Sequence, residues 1–327
     1  MKPLTNDDLA EATATVRRFM SPTPAYPWPL LAQAIGTEVW VKHEDATPTG
    51  AFKVRGGLVF ADRLLRGPAA IDGLVSATTG NHGQSLAFAG RAMGLAVTIV
   101  VPHGNSPEKN AAMRAFGATV VEHGHDFQAA RDHSVELAEE RSLMPVPPFH
   151  RDLVAGVATA TAELFATAGE LDAIFVPVGM GSGINAAMAV RDLLGAPTEV
   201  IGVTAAGAPA MARSFAASAA VSTESVATFA DGVATRSPDP EALAGVLAGA
   251  ADIVSVTDDE MAEAIRLLFR STHHLSCGAG AAALAALVAQ RDRWHGRRVA
   301  VIHTSSNIDT PLAATVLAGH TPPSGGR

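Results

Sequence analysis

Leu74-Val75-Ser76-Ala77, then Thr78-Thr79-Gly80-Asn81, then a helix-like stretch through Arg91, then Val97-Thr98-Ile99-Val100-Val101: this run decides the fold. Its two apolar segments show no alternation. A strand that is apolar on both faces is buried on both faces, which means a parallel sheet covered by helices. The unit recurs along the chain. Ala173 to Val178 leads into Gly179-Met180-Gly181-Ser182-Gly183, a helix to Leu194 and a strand from Val200 to Thr204. Ala118 to Glu122 and Ile253-Val254-Ser255-Val256 read as further strands. Val39-Trp40-Val41 is a short buried strand upstream, and Val299-Ala300-Val301-Ile302 is the last, ending in His303-Thr304-Ser305-Ser306-Asn307.

Helix signals fall between these strands. A helix is expected over 7–20 and another over 126–141. Ser106-Pro107-Glu108 supplies a cap, a first-turn proline and an acid facing the positive helix end, and Gly117 stops that helix. Thr257-Asp258-Asp259-Glu260 is a capping box, with its helix running to about His273. Gly278 to about Gln290 reads as a very Ala-rich helix, and 207–250 as small-residue helix and loop. Pro22, Pro24, Pro27 and Pro29 predict an extended connection, and Met144-Pro145-Val146-Pro147-Pro148 marks an internal boundary. The resulting expectation is an α/β protein of two parallel-sheet, three-layer domains flanking a cleft. Residues 1–60 with 151–327 form the larger domain and 61–150 the smaller.

Composition narrows the function. The chain has 327 residues, 48% of them hydrophobic and 17% charged, with a formal charge of −8 and no basic run. Nucleic-acid binding through phosphates is therefore not expected. A single cysteine, Cys277, excludes an internal disulfide framework. No apolar run is long enough for a bilayer and the N-terminus lacks a signal pattern, so the expected address is the cytoplasm, with no membrane partner. Thr321 to Arg327 are expected to fray.

In α/β sheets ligands gather at the carboxyl ends of strands. The polar and glycine-rich loops 78–82, 179–183 and 304–307 sit there. Gly179 to Gly183 lets successive N–H groups face a phosphate at a helix start. It is not a dinucleotide fingerprint, since the third glycine comes too early and the next strand ends at Thr204 without an acid. A packing turn is the competing reading. Thr78-Thr79-Gly80-Asn81-His82 carries donors suited to a carboxylate or phenolate oxygen, or only ordinary capping. Thr304 could bond a ring nitrogen or simply close a turn. His123 with His125, and His273 with His274, lack zinc-site spacing. Lys53, in Lys42-His43-Glu44-Asp45-Ala46-Thr47-Pro48-Thr49-Gly50-Ala51-Phe52-Lys53-Val54-Arg55-Gly56-Gly57, sits between turn chemistry and two glycines. A lysine so placed can form a Schiff base if its site helps it lose a proton.

Taken together, Phe52-Lys53 with Arg55-Gly56, Thr79-Gly80-Asn81-His82-Gly83-Gln84, the 179–183 loop, Ala230-Asp231-Gly232-Val233 and Thr304-Ser305-Ser306-Asn307 form one ordered set. The set resembles the serine/threonine dehydratases and serine racemases, fold-type II enzymes dependent on pyridoxal 5'-phosphate and built like the tryptophan synthase β subunit. The resemblance runs from about residue 20 to 315. It implies that Lys53 carries the cofactor and shuttles protons, that Phe52 packs near the ring, and that Gly179, Met180, Gly181, Ser182 and Gly183 hold the phosphate. Asn81 would bond the ring oxygen, Thr304 the pyridine nitrogen, and Thr78, Thr79 and His82 would line the substrate carboxylate pocket.

The implied reaction removes water from L-threonine or L-serine, giving a 2-oxo acid and ammonia. A bulkier substrate such as phenylserine, or racemisation, are the alternatives. A homodimer is implied as well. Three departures stand out. Cys277 replaces a usual Glu, Ser305-Ser306 replaces Gly-Gly, and Ala205-Ala206-Gly207-Ala208-Pro209 lacks the acids that bind a cation in relatives, so no metal is expected there. With the sequence ending at residue 327, no C-terminal regulatory domain is expected.

Overall fold

The computed structural model describes residues 1–68 and 71–325. In chain order the elements are α1 (Asn6–Arg17), β1 (Ala25–Pro27), α2 (Pro29–Ile35), β2 (Glu38–His43), α3 (Lys53–Leu65), β3 (Gly73–Ala77), α4 (Asn81–Met93) and β4 (Ala96–Val101). Next come α5 (Pro107–Ala115), β5 (Thr119–Glu122), α6 (Phe127–Glu140), β6 (Met144–Pro145), α7 (Arg151–Ala168), β7 (Ala173–Pro177), α8 (Ser182–Leu194) and β8 (Glu199–Ala205). The chain closes with α9 (Ala210–Ala217), α10 (Pro240–Gly249), β9 (Asp252–Val256), α11 (Asp258–Thr272), α12 (Gly278–Ala289), α13 (Arg291–Trp294), β10 (Arg298–His303) and α14 (Thr310–Leu317).

Two separate sheets result. One has six strands in the order β1-β2-β10-β7-β8-β9, the other four in the order β5-β4-β3-β6. All pairings are parallel except β1 with β2, which runs antiparallel with Tyr26 opposite Val41. The sheets are thus parallel as expected, with one antiparallel edge strand added. The proline-rich segment is an edge strand followed by a helix. Pro27 can lie in β1 because an edge strand does not need every N–H, and Pro29 opens α2, where a missing N–H costs nothing. The 144–148 run likewise adds the edge strand β6, with Met144 opposite Leu74.

The local helix signals are realised at their caps. Thr257 and Glu260 form the reciprocal capping box of α11, and Ser106 caps α5 ahead of Pro107. Every residue of α12 from Gly278 to Leu287 is buried. A helix that is apolar all round must be interior, and α12 packs against α11, β7, β8 and β10 on one face of the six-stranded sheet. On the opposite face α7 packs against α1, α3 and α8. Of the tail expected to fray, Ser324 donates to Asp258 at 2.7 Å, while Gly326 and Arg327 lie outside the described residues.

Candidate functional site

Lys53 is the first residue of α3. The turn before it is clipped to the end of β10. Phe52 N–H donates to the Thr304 carbonyl at 3.0 Å, and Ser306 N–H donates to the Gly50 carbonyl at 3.0 Å. The Asn307 amide donates to the Thr49 carbonyl at 2.8 Å. Behind the lysine, α3 lies close against α4: a Cβ on Gly57 would sit 2.3 Å from Ser85 Oγ. The Lys53 amine is 5.1 Å from the centre of the Phe52 ring. Burial pushes it down to about 8. Among the described residues no carboxylate is paired with it.

Facing the lysine is the start of α8. Its N-cap, Gly181, has φ +96° and no capping side chain. The first N–H groups of α8 therefore open into the space that Lys53 also lines. Gly181 is held by the Asn185 amide, which donates to its carbonyl at 2.9 Å and to the Ala242 carbonyl at 3.1 Å. A Cβ on Gly181 would meet Ala242 at 3.0 Å in a backbone conformation that L side chains rarely adopt. One pocket brings together Phe52, Lys53, Asn81, Gly179, Met180, Gly181, Ser182, Gly183 and Thr304, with Pro177, Gly232 and Ala279. An uncapped helix start opposite a neutralisable amine suits an aldehyde that carries a phosphate. On that donor set the pocket fits pyridoxal phosphate.

Thr78, Thr79 and His82 do not line this pocket. Thr78 and Thr79 lie on the adjoining loop, and His82 is in the first turn of α4. The Thr78 hydroxyl accepts the Gly80 N–H at 3.3 Å, and the Thr79 carbonyl accepts from Asn105 at 3.2 Å. The His82 ring is buried and bonded to the Val146 carbonyl, with Nε2 unpartnered. Burial, and then the charge of Lys53, push His82 down to about 3.

A second assembly, unread in the sequence, lies behind the pocket. The Lys42 amine donates to Glu163 Oε2 at 2.7 Å, the Thr23 carbonyl at 2.7 Å and the Thr23 hydroxyl at 2.6 Å. Arg55 forks onto Glu44 at 2.7 and 2.9 Å and onto Glu163 at 2.7 and 3.0 Å. Burial opposes the Arg55 charge, but Glu44 and Glu163 outweigh it and raise its pKa. For Lys42 burial prevails over the same two acids and lowers its pKa. The available signal was the pattern Lys42-x-Glu44 with Arg55, polar residues in a strand and helix that are otherwise buried.

The third assembly gathers histidines by topology. His43 and His303 end β2 and β10 in register. Asp45 accepts from His43 Nδ1 at 3.2 Å and His274 Nδ1 at 2.7 Å, with His303 Nδ1 2.9 Å away but poorly aligned. Burial alone would raise the Asp45 carboxyl; the imidazoles hold it well below the usual range. His43, Asp45 and His274 have the spacing of a cation site. Trp28 decides the proton inventory, because its Nε1–H can only donate and reaches His43 Nε2 at 3.0 Å. The His43 proton is therefore on Nδ1, facing Asp45. A cation at Nδ1 would push that proton to Nε2, against the Trp28 N–H. The arrangement favours protons.

Comparison with known proteins agrees with this geometry. The model of a family described as pyridoxal-phosphate dependent enzymes matches residues 16–305. The L-threo-3-hydroxyaspartate ammonia-lyase of a Pseudomonas species is 30% identical over 95% of this chain and 98% of its own length. The biosynthetic L-threonine dehydratase of Pasteurella multocida is 33% identical over 81% of this chain; the match spans 52% of that protein, about half its length. Among solved structures, the T.th. threonine deaminase superposes with a TM-score of 0.87 at 30% identity, over 94% of this chain and 99% of that one.

Proposed function

We propose that this chain, which belongs to the pyridoxal-phosphate dependent enzymes, is an ammonia-lyase that converts a β-hydroxy amino acid, L-threonine or L-serine foremost, to a 2-oxo acid and ammonia. One observation carries the reading: an amine drawn down to about 8 by burial, sharing a pocket with an uncapped helix start. The bound cofactor supplies an electron sink for charge developing at the substrate Cα. Lys53 takes up the α-proton, a task that needs a neutral amine near the working pH. The N–H groups at the start of α8 would hold the phosphate, and the hydroxyl of Thr304 would bond the ring nitrogen. The donors of the Thr78–Asn81 stretch would bind the substrate carboxylate. The β-hydroxyl departs as water and a water later releases ammonia, so no oxidant is needed.

The division into 1–60 with 151–327, and 61–150, is part of this reading. Its support is that the six-stranded sheet draws on 25–43 and 173–303 and the four-stranded sheet on 73–145. A cytoplasmic homodimer belongs to it too, with size-exclusion chromatography as the check on the dimer. The test of function is 2-oxo acid release from a panel of threonine, serine, phenylserine and threo-3-hydroxyaspartate. Release from threonine or serine supports the reading. Release from phenylserine alone moves the substrate to the bulkier alternative, and release from none refutes it.

A further inference from the structure

Two residues just behind the pocket lining, Cys277 and Ser305, touch each other, and Ser305 acts on a residue that does line it, Asn81. The proton assignment along this chain is fixed from one end. The Thr49 carbonyl can only accept, so the Asn307 atom 2.8 Å from it is the NH2 nitrogen. That nitrogen also donates to Asn81 at 2.8 Å, which makes the contacted Asn81 atom its carbonyl oxygen. The other Asn81 atom, 3.1 Å from Ser305 Oγ, is then the nitrogen and donates to it. Asn307 N–H donates to the same hydroxyl at 3.0 Å. Both Ser305 lone pairs are thus taken.

Cys277 is fixed in turn. Its N–H donates to the Ser305 carbonyl at 3.1 Å and its sulfur accepts from Gly280 N–H at 3.3 Å. Ser305 is 1% exposed. Its backbone bridges to Ala51, two residues before Lys53. A buried hydroxyl oxygen that accepts from two donors is held in place, and so is the amide that it and Asn307 hold.

We propose that Ser305 is a positioning residue for the cofactor pocket: it locks the Asn81 amide so that its second N–H is free for the phenolic oxygen of pyridoxal phosphate, with the Cys277 N–H anchoring the Ser305 backbone from behind. This rests on the reading of the pocket as a pyridoxal phosphate site. A fixed donor on that oxygen stabilises its anion and favours loss of the proton shared with the lysine-bound nitrogen. Removing the lock raises the pH at which the visible band of the lysine-bound cofactor titrates.

The test is a double-mutant cycle on the holoenzyme, read as the midpoint of that spectral titration. Ser305→Ala should raise the midpoint by about half a pH unit or more, in line with the loss of one ordinary hydrogen bond. In an Asn81→Ala background the same change should do nothing further, because Ser305 acts through Asn81. If Ser305→Ala does not retain cofactor, Ser305→Gly, which leaves room for a water in place of the hydroxyl, runs the same cycle. An unmoved midpoint, or an equal shift with and without Asn81, overturns the proposal. A natural-sequence protein that forms no visible band overturns the assignment of the pocket itself, a result distinct from either.

Discussion

Lys42 and Lys53 flank the same turn, yet their surroundings give them opposite tasks. The Lys42 side chain is fully buried, with its amine against Glu163 and the Thr23 oxygens. Lys53 has an aromatic ring beside it and no paired carboxylate among the described residues. Both amines are lowered by burial. Carboxylates keep a buried lysine as a cation and a strut, whereas burial without them leaves an amine that can be a base or a nucleophile. Lysine, then, is recognised as reactive by what is missing around it.

The comparison is broken most severely by exchanging Lys53 for a residue of similar length. Lys53→Met should abolish the visible band of the lysine-bound cofactor and leave the far-UV signature of the fold. Loss of a positioned acid–base typically costs about 10²–10⁴-fold, and loss of the attachment adds to it, so 2-oxo acid release should fall by several orders of magnitude. Near-normal turnover would mean that another group does the work.

The Lys42 side is tested through its counter-charge. Glu163→Gln leaves Arg55 and Lys42 sharing Glu44, and one partner removed from a buried pair costs about 3–5 kcal/mol. The denaturant midpoint should drop accordingly, while folded protein keeps its visible band. An unchanged midpoint would erase the distinction between strut and reactive amine.

Gly181 sharpens the contrast from the other wall of the pocket. Gly181→Val places a branched side chain at φ +96° against Ala242. Left-handed backbone strain of about 1–2 kcal/mol should appear in stability. Cofactor retention in equilibrium dialysis should weaken further, because the side chain disturbs the helix start that holds the phosphate. Undiminished retention would count against the cradle.

The smallest expected effect is on pH dependence. His82, pushed down to about 3, is neutral in the folded chain at ordinary pH. In the unfolded chain histidines protonate near pH 6.5. A folded pKa below the unfolded one gives stability that is complete above about pH 6.5 and lost as pH falls toward about 3. The loss is about 1.4 kcal/mol per pH unit for this histidine. His82→Gln should flatten that slope in pH-dependent urea melts. Since the charge of Lys53 is part of what depresses His82, Lys53→Met should soften the slope as well.

How much of this was legible follows from sequence distance. Units such as Leu74 to Val101 and Ala173 to Leu194 declare themselves, because strand, turn and helix are contiguous and their caps are local. The nine expected residues that line the pocket sit in four short motifs, and each motif shows its own chemistry. Asp45 with His43, His274 and His303 was illegible, since three separated segments meet only after β2 and β10 pair in register. The Asn81–Ser305–Cys277 chain was illegible for the same reason. Glu163 reads as one more acid on a helix until α7 packs on α3. In the proline-rich segment, prolines tolerated at a strand edge and a helix start read as extended chain.

The most direct test of the central claim uses the scarcity of lysine. The chain has four, Lys2, Lys42, Lys53 and Lys109. The protein is loaded with pyridoxal phosphate, reduced with borohydride, digested and mapped by mass spectrometry. The account predicts the pyridoxyl group on the peptide that contains Lys53, with Lys42 unmodified inside its carboxylate cage. Recovery of the group on Lys42 or Lys109 would contradict it.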